Sequence, residues 1–237
     1  AVGLENSAPR LNGEIIIACP ILPHISNFDD LDPLRFEASV DLVMVRSGSP
    51  IPAEASLVIL AGSKSTISDL EALRQEGWDI DIAAHIRRGG YVMGICGGYQ
   101  MLGYGIADPD GLEGTPRTVK GLGHLPVDTR LTSIKQLREV RGKTLGASFT
   151  GYEMHMGVSD RQAGLQPFAT LQDATNDGAI SASGRILGTY VHGIFQSHGF
   201  RESVLKMLGS ESGAQDQQAV IDTALDRISQ QLEDQMD

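Results

Sequence analysis

The chain is poor in cysteine: Cys19 and Cys96 are the only two in 237 residues. Two thiols provide no disulfide framework, so the fold must rest on its own core, and a reducing, cytoplasmic setting is expected. Positive charge is also short, with 19 Lys and Arg against 30 Asp and Glu, a formal net charge of −11 and no basic stretch to offset it. That balance argues against nucleic acid and anionic membranes as partners. No apolar run approaches the ~20 residues that span a bilayer, and no signal peptide is visible. Cys19, His24 and His155 lack the spacing of zinc ligands, and no metal is expected. A phosphate-binding P-loop is missing as well. Ala61-Gly62-Ser63-Lys64-Ser65-Thr66 resembles the end of one, but Ser63 and Val58 stand where its two glycines belong. A loop of this kind can instead offer the Gly62 N–H to an oxyanion.

What is present is a length, a 41% hydrophobic fraction and 28 glycines suited to one loop-rich α/β domain. Residues 1–12 read as a linker or loose terminus, residues 13–210 as the domain, and residues 211–237 as a C-terminal amphipathic helix. The helix rests on Ile221, Leu225, Ile228 and Leu232 at i, i+4, i+7 and i+11. Apolar runs at 14–19, 40–45 and 57–61 and the run ending at Ile95 read as buried parallel strands. The segment from Ser68 to Arg88 has helical periodicity broken near Gly77. From about Gly121 the texture changes. Val127–Leu131 and Thr144–Val158 read as antiparallel strands, and Gly184–Val191 as a strand that delivers His192. The fold class is therefore α/β: a mostly parallel central sheet flanked by helices, with some antiparallel strands in the C-terminal half.

The strongest chemical signal is Gly94-Ile95-Cys96-Gly97-Gly98-Tyr99-Gln100. A strand meets a helix at a turn tight enough to need glycine at 94, 97 and 98, because a Cβ there would strike the crossing elements. This is a nucleophile elbow with sulfur at its tip and the Gly97 N–H aimed where an oxyanion would form. The thiol needs a base. Among six histidines, His192 in Gly188-Thr189-Tyr190-Val191-His192-Gly193 has the strongest context, at the end of a strand and so near the other strand ends. His85 reads as solvated on a polar helix face. Alternation along Gly151–Gly157 puts Glu153 and His155 on one strand face and Tyr152, Met154 and Met156 on the other. The Glu153–His155 face either orients a partner and binds a polar substrate or is simply solvated.

These residues resemble the class I glutamine amidotransferases, in the branch that includes cobyric acid synthases. Ile25–Leu34, Gly62–Thr66 with Asp69-Leu70, Trp78–Ile80, Asp108–Gly111 and Tyr152–Gly157 extend the likeness over about Gly13–Leu208. The resemblance implies a flavodoxin-like glutaminase in which Cys96 attacks the glutamine side-chain amide, a thioester forms, and His192 serves as base and then acid. It implies Gly62 and Gly97 as oxyanion donors. In the wider superfamily a glutamate two residues after the histidine completes a triad; here Ile194 stands there, and Glu153 is the candidate orienter on chemistry alone. Tyr152, His155 and Gln100 are further candidate contacts. The implied partners are glutamine and an N-terminal ATP-dependent synthetase half, absent from this chain, which would carry ATP and Mg and amidate adenosylcobyrinic acid a,c-diamide. The chain itself is expected to need no cofactor. Other readings remain open: a different acceptor (cobyrinic acid a,c-diamide synthesis or lipid II), a cysteine hydrolase on the same scaffold, or a non-catalytic regulatory domain.

Overall fold

A computed structural model describes residues 15–210 of the chain; the expected N-terminal linker and the expected C-terminal helix lie outside the described residues. Three largely apolar segments form adjacent parallel strands: β1 (Ile15–Pro20), β2 (Val40–Val45) and β3 (Leu57–Leu60). Helices α1 (Thr66–Gln75) and α2 (Trp78–Arg87) follow. The expected break falls between them, with Gly77 in the left-handed region (φ 75°) that lets the chain turn without a Cβ clash. Strand β4 (Tyr91–Ile95) then leads into the short helix α3 (Gly97–Leu102).

The second half is built on a long antiparallel hairpin, β5 (Val127–Thr144) and β6 (Ala147–Arg161). Strand β7 (Ile186–Thr189) returns to the parallel sheet, and helix α4 (His198–Met207) closes the described chain. The central sheet has the order Ala179–Ile180, β7, β4, β3, β1, β2, parallel except at the Ala179–Ile180 edge. A second sheet runs Asn176–Asp177, Ala169–Leu171, β5, β6, Val191–His192. Two apolar clusters hold these layers: one is centred on Ile17, Ile59, Met93 and Phe195, the other on Val58, Leu70, Trp78 and Tyr99. At ~25 cal/mol per Å² of apolar area removed from water, such burial is the main stabilising contribution.

Where the sequence suggested two separate strands at 127–131 and 144–158, the chain runs on as strand through Thr132–Lys143. That stretch is mostly exposed and mixes charged, polar and apolar residues, so it shows no apolar alternation to read. Its register breaks once: Met156 lies opposite Lys135 and Val158 opposite Arg130, so Leu131–Ile134 bulge out against Gly157. His85, expected in solvent, is buried instead, with Nε2 2.9 Å from the Tyr91 carbonyl oxygen.

Candidate active site

β4 ends at Ile95, and Cys96 occupies a backbone conformation (φ 53°, ψ −109°) that L-residues rarely adopt. Strain of that kind costs on the order of 1–3 kcal/mol and persists only where packing enforces it. The enforcement is visible at the glycines. A Cβ on Gly98 would run into the Leu60 carbonyl, one on Gly94 would lie 2.6 Å from the Gly98 backbone, and one on Gly97 would lie 3.0 Å from Ser63. The Cys96 amide donates to the Thr189 carbonyl at 2.8 Å, tying the ends of β4 and β7 together.

β7 stops at Thr189, and the chain crosses to the second sheet through Tyr190. Buried Asp177 fixes the crossing by accepting from the Thr189 hydroxyl and, at 3.0 Å, from the Tyr190 amide. Burial pushes this carboxyl up to about 6 against the effect of those bonds. Two residues on, His192 lies beside Cys96 with a side chain only 1% exposed. Both line one cavity of about 290 Å³, together with Ser26, Asn27, Lys64 and Met154. The Cys96 thiol is 3.6 Å from the Met154 carbonyl oxygen, its recorded acceptor.

The residue that orients His192 is Asp30, not Glu153. His192 Nδ1 lies 2.7 Å from Asp30 Oδ2, and the Gly193 amide donates to Asp30 Oδ1 at 2.6 Å. That arrangement leaves Nε2 for the sulfur. Burial alone would lower the imidazole, but hydrogen bonds and charge from Asp30 and Cys96 outweigh it and push His192 up to about 10. Tyr152 stacks on the ring with centroids 5.3 Å apart, and its hydroxyl accepts from Asn27 Nδ2 at 2.8 Å. Asp30 sat within a run already singled out in the sequence, yet Asp29, Asp30 and Asp32 look alike there. Only the left-handed Asn27 (φ 53°) and the short 3-10 turn after it decide that Asp30 points inward.

Glu153 and His155 do share a strand face, as the alternation suggested, but they part in role: Glu153 is engaged away from His192, whereas His155 lines the cavity with Cys96 and His192. Glu153 Oε2 pairs with Arg138 Nε at 2.6 Å across the hairpin. His155 stacks on Tyr190 with centroids 3.8 Å apart and bonds the Gly157 carbonyl through Nδ1, and burial holds it below its ordinary value. Gln100 lines the cavity with its amide committed: it accepts from Thr66 Oγ1 and donates to the Met156 carbonyl and to Tyr190 Oη, each at 3.0–3.2 Å.

Gly97 stands directly after the sulfur as expected, but the loop offers a different second amide. Lys64 N–H donates to the His24 carbonyl in the two-residue ladder of Ile25–Ser26 with Gly62–Ser63. Antiparallel alternation then makes Ser26·Gly62 the next hydrogen-bonded pair and Ile25·Ser63 an open one. The Gly62 N–H is used within the ladder, whereas the Ser63 N–H is free of it and lies against Gly97. Nor does this loop suit a nucleotide phosphate. Glu113 already caps α1, accepting from the Thr66 and Ile67 amides at 2.9 and 2.8 Å and from the Ser65 hydroxyl.

The CobB/CobQ-like glutamine amidotransferase domain family matches residues 16–200. A cobyric acid synthase of Rhizorhabdus wittichii is 54% identical over 237 residues, covering all of this chain and 49% of that protein. One of Novosphingobium aromaticivorans is 55% identical over the same length and covers 48% of that protein. The chain thus spans about half the length of the curated relatives it matches. A crystal structure of a glutamine amidotransferase is similar with a TM-score of 0.59 at 19% identity, covering 82% of this chain and 99% of that one. The structure of PurLQS from Thermotoga maritima is similar with a TM-score of 0.57 at 16% identity, over 89% and 99%. These likenesses establish the flavodoxin-like fold alone.

Proposed function

The chain belongs to the CobB/CobQ-like glutamine amidotransferase domain family, and from that premise we propose that it is the glutaminase module of an adenosylcobyric acid synthase. The observation that carries the reading is that Cys96 and His192 line one cavity while Asp30 holds the His192 ring by its other nitrogen. In this mechanism the Cys96 sulfur attacks the side-chain carbonyl of glutamine, with its proton held on His192. The C–N bond breaks as His192 gives that proton to the leaving nitrogen, releasing ammonia and leaving a γ-glutamyl thioester. His192 then takes a proton from water, the hydroxide adds to the thioester, and glutamate departs as the C–S bond breaks. The N–H groups of Gly97 and Ser63 support the oxyanion formed in each half.

Ammonia would pass to a synthetase half that binds ATP and Mg²⁺ and amidates adenosylcobyrinic acid a,c-diamide. Glu113 already occupies the α1 N-terminus at Thr66, so this loop is closed to a nucleotide phosphate. Ile134, Leu137 and Met156, exposed by 70%, 67% and 42%, stand on the hairpin that walls the cavity. With relatives twice as long, that apolar rim is the face we assign to the synthetase half. The test is treatment with 6-diazo-5-oxo-norleucine followed by mass spectrometry. Labelling at Cys96 alone, blocked by glutamine, is expected. Absence of labelling with the synthetase half present would refute the glutaminase reading.

A further inference from the structure

Asp69 is the fourth residue of α1 and its side chain is fully buried. An ionised carboxylate there costs several kcal/mol unless its oxygens are bonded, and packing α1 alone would call for an apolar residue. Its bonds all go to one place. Oδ1 accepts from the His24 amide at 3.0 Å and lies 2.9 Å from His24 Nδ1, while Oδ2 accepts from the Ser63 hydroxyl at 2.6 Å. The Ser63 oxygen in turn accepts from the Ser65 amide at 3.0 Å. His24 leads into one strand of the Ile25–Ser26/Gly62–Ser63 ladder, and Ser63 lies on the other.

A two-residue ladder is too short to hold its own geometry. The Gly62–Ser63 peptide, with glycine on one side, is among the easiest to rotate out of plane with the site. We propose that Asp69 is a positioning residue for glutamine hydrolysis: it clamps both strands from beneath, so that the Ser63 N–H stays beside Gly97 and aimed at the oxyanion. The proposal rests on the glutaminase reading and adds to it a residue that touches neither substrate nor sulfur.

The experiment separates oxyanion chemistry from thiol chemistry. Hydrolysis of glutamine passes through an oxyanion; alkylation of Cys96 by iodoacetamide is a displacement at carbon and passes through none. Glutamate γ-semialdehyde adds to the thiol and leaves an oxygen in the oxyanion position, so its inhibition reads the donors directly. In the full-length polypeptide as the cell makes it, Asp69→Asn keeps the size but replaces one accepting oxygen with a donor. Loss of one oxyanion donor costs ~10²–10³ in kcat, so displacing one is expected to cost ~10–10². KM and the alkylation rate should stay within about twofold, and semialdehyde affinity should fall with kcat.

Ser63→Ala cuts the same tie and leaves the His24 bonds in place; it is expected to lower kcat in the same direction by less, and it decides the matter if Asp69→Asn does not fold. Unchanged kcat in a folded variant, or alkylation falling as far as kcat, overturns the clamp. A wild-type enzyme that turns over no glutamine while Cys96 alkylates normally removes the glutaminase reading instead.

Discussion

Replacing Asp30 by asparagine tests the core of the site with the least change in shape. Asparagine keeps an oxygen for the Gly193 amide, but toward His192 it presents an NH₂ group. The ring must then accept at Nδ1 and carry its proton on Nε2, which is the wrong tautomer for taking a proton from sulfur. The rise of His192 from 6.5 to about 10 is worth roughly 5 kcal/mol, an upper bound shared between Asp30 and Cys96. If Asp30 carries half of that, its loss costs ~10²-fold in kcat/KM, and the tautomer effect extends the range to ~10⁴. The assay is ammonia release against pH, with iodoacetamide reactivity of Cys96 followed in parallel. A raised histidine stabilises the fold fully below pH 6.5 and loses that contribution as pH climbs through about 10. The melting difference between wild type and Asp30→Asn should therefore be largest at low pH and close towards pH 10. Glu153→Gln is the matched control, and the His192 titration should not move in it, since Glu153 pairs with Arg138. An Asp30→Asn enzyme with a wild-type rate and pH profile would refute the assignment, and a shifted profile in Glu153→Gln would restore Glu153.

Cys96→Ser is expected to abolish glutamine-dependent amidation by the complete enzyme while amidation from added ammonium persists; loss of both would give Cys96 a second duty. Gly98→Ala should cost at least ~3 kcal/mol or prevent folding, because the new methyl meets the Leu60 carbonyl; chemical denaturation reads it directly, and a loss below 1 kcal/mol would contradict the packing. Asp177, raised to about 6, contributes stability that is present below about pH 4 and lost as pH rises through 6. Asp177→Asn should flatten the melting curve across that window, and an unchanged pH dependence would contradict its buried state. Leu137→Asp should depress glutamine-dependent amidation and spare the ammonium-dependent reaction, and equal loss of both would move the synthetase contact elsewhere.

The central sheet was legible because buried parallel strands are almost uniformly apolar: Leu57–Leu60 in the structure falls within the run at 57–61, and the helix break falls at Gly77. The elbow was legible because its three glycines are demanded by contact, at Leu60, Gly98 and Ser63. The hairpin was read only in part, since the exposed middle of β5 has no face to bury and hence no period. Asp30 and Asp69 escaped for a different reason. Each acts through partners 162 and 45 residues away in sequence, and a carboxylate's burial leaves no local signature. The Ser63 amide escaped because ladder alternation, which frees one N–H and uses the next, depends on the pairing partner and not on the strand's own residues.

Cys96 follows a strand of the parallel sheet, and His192 ends a strand of the hairpin sheet, with Tyr190 alone between β7 and that second strand. In the proposed reaction the nucleophile and its base are therefore mounted on separate platforms. A shear of one sheet against the other by a fraction of an ångström changes the sulfur–nitrogen distance while every hydrogen bond inside each sheet survives. The proposed chemistry would thus gauge how the two layers seat, because a load on the long hairpin bears on the proton exchanged between Cys96 and His192 in that reading.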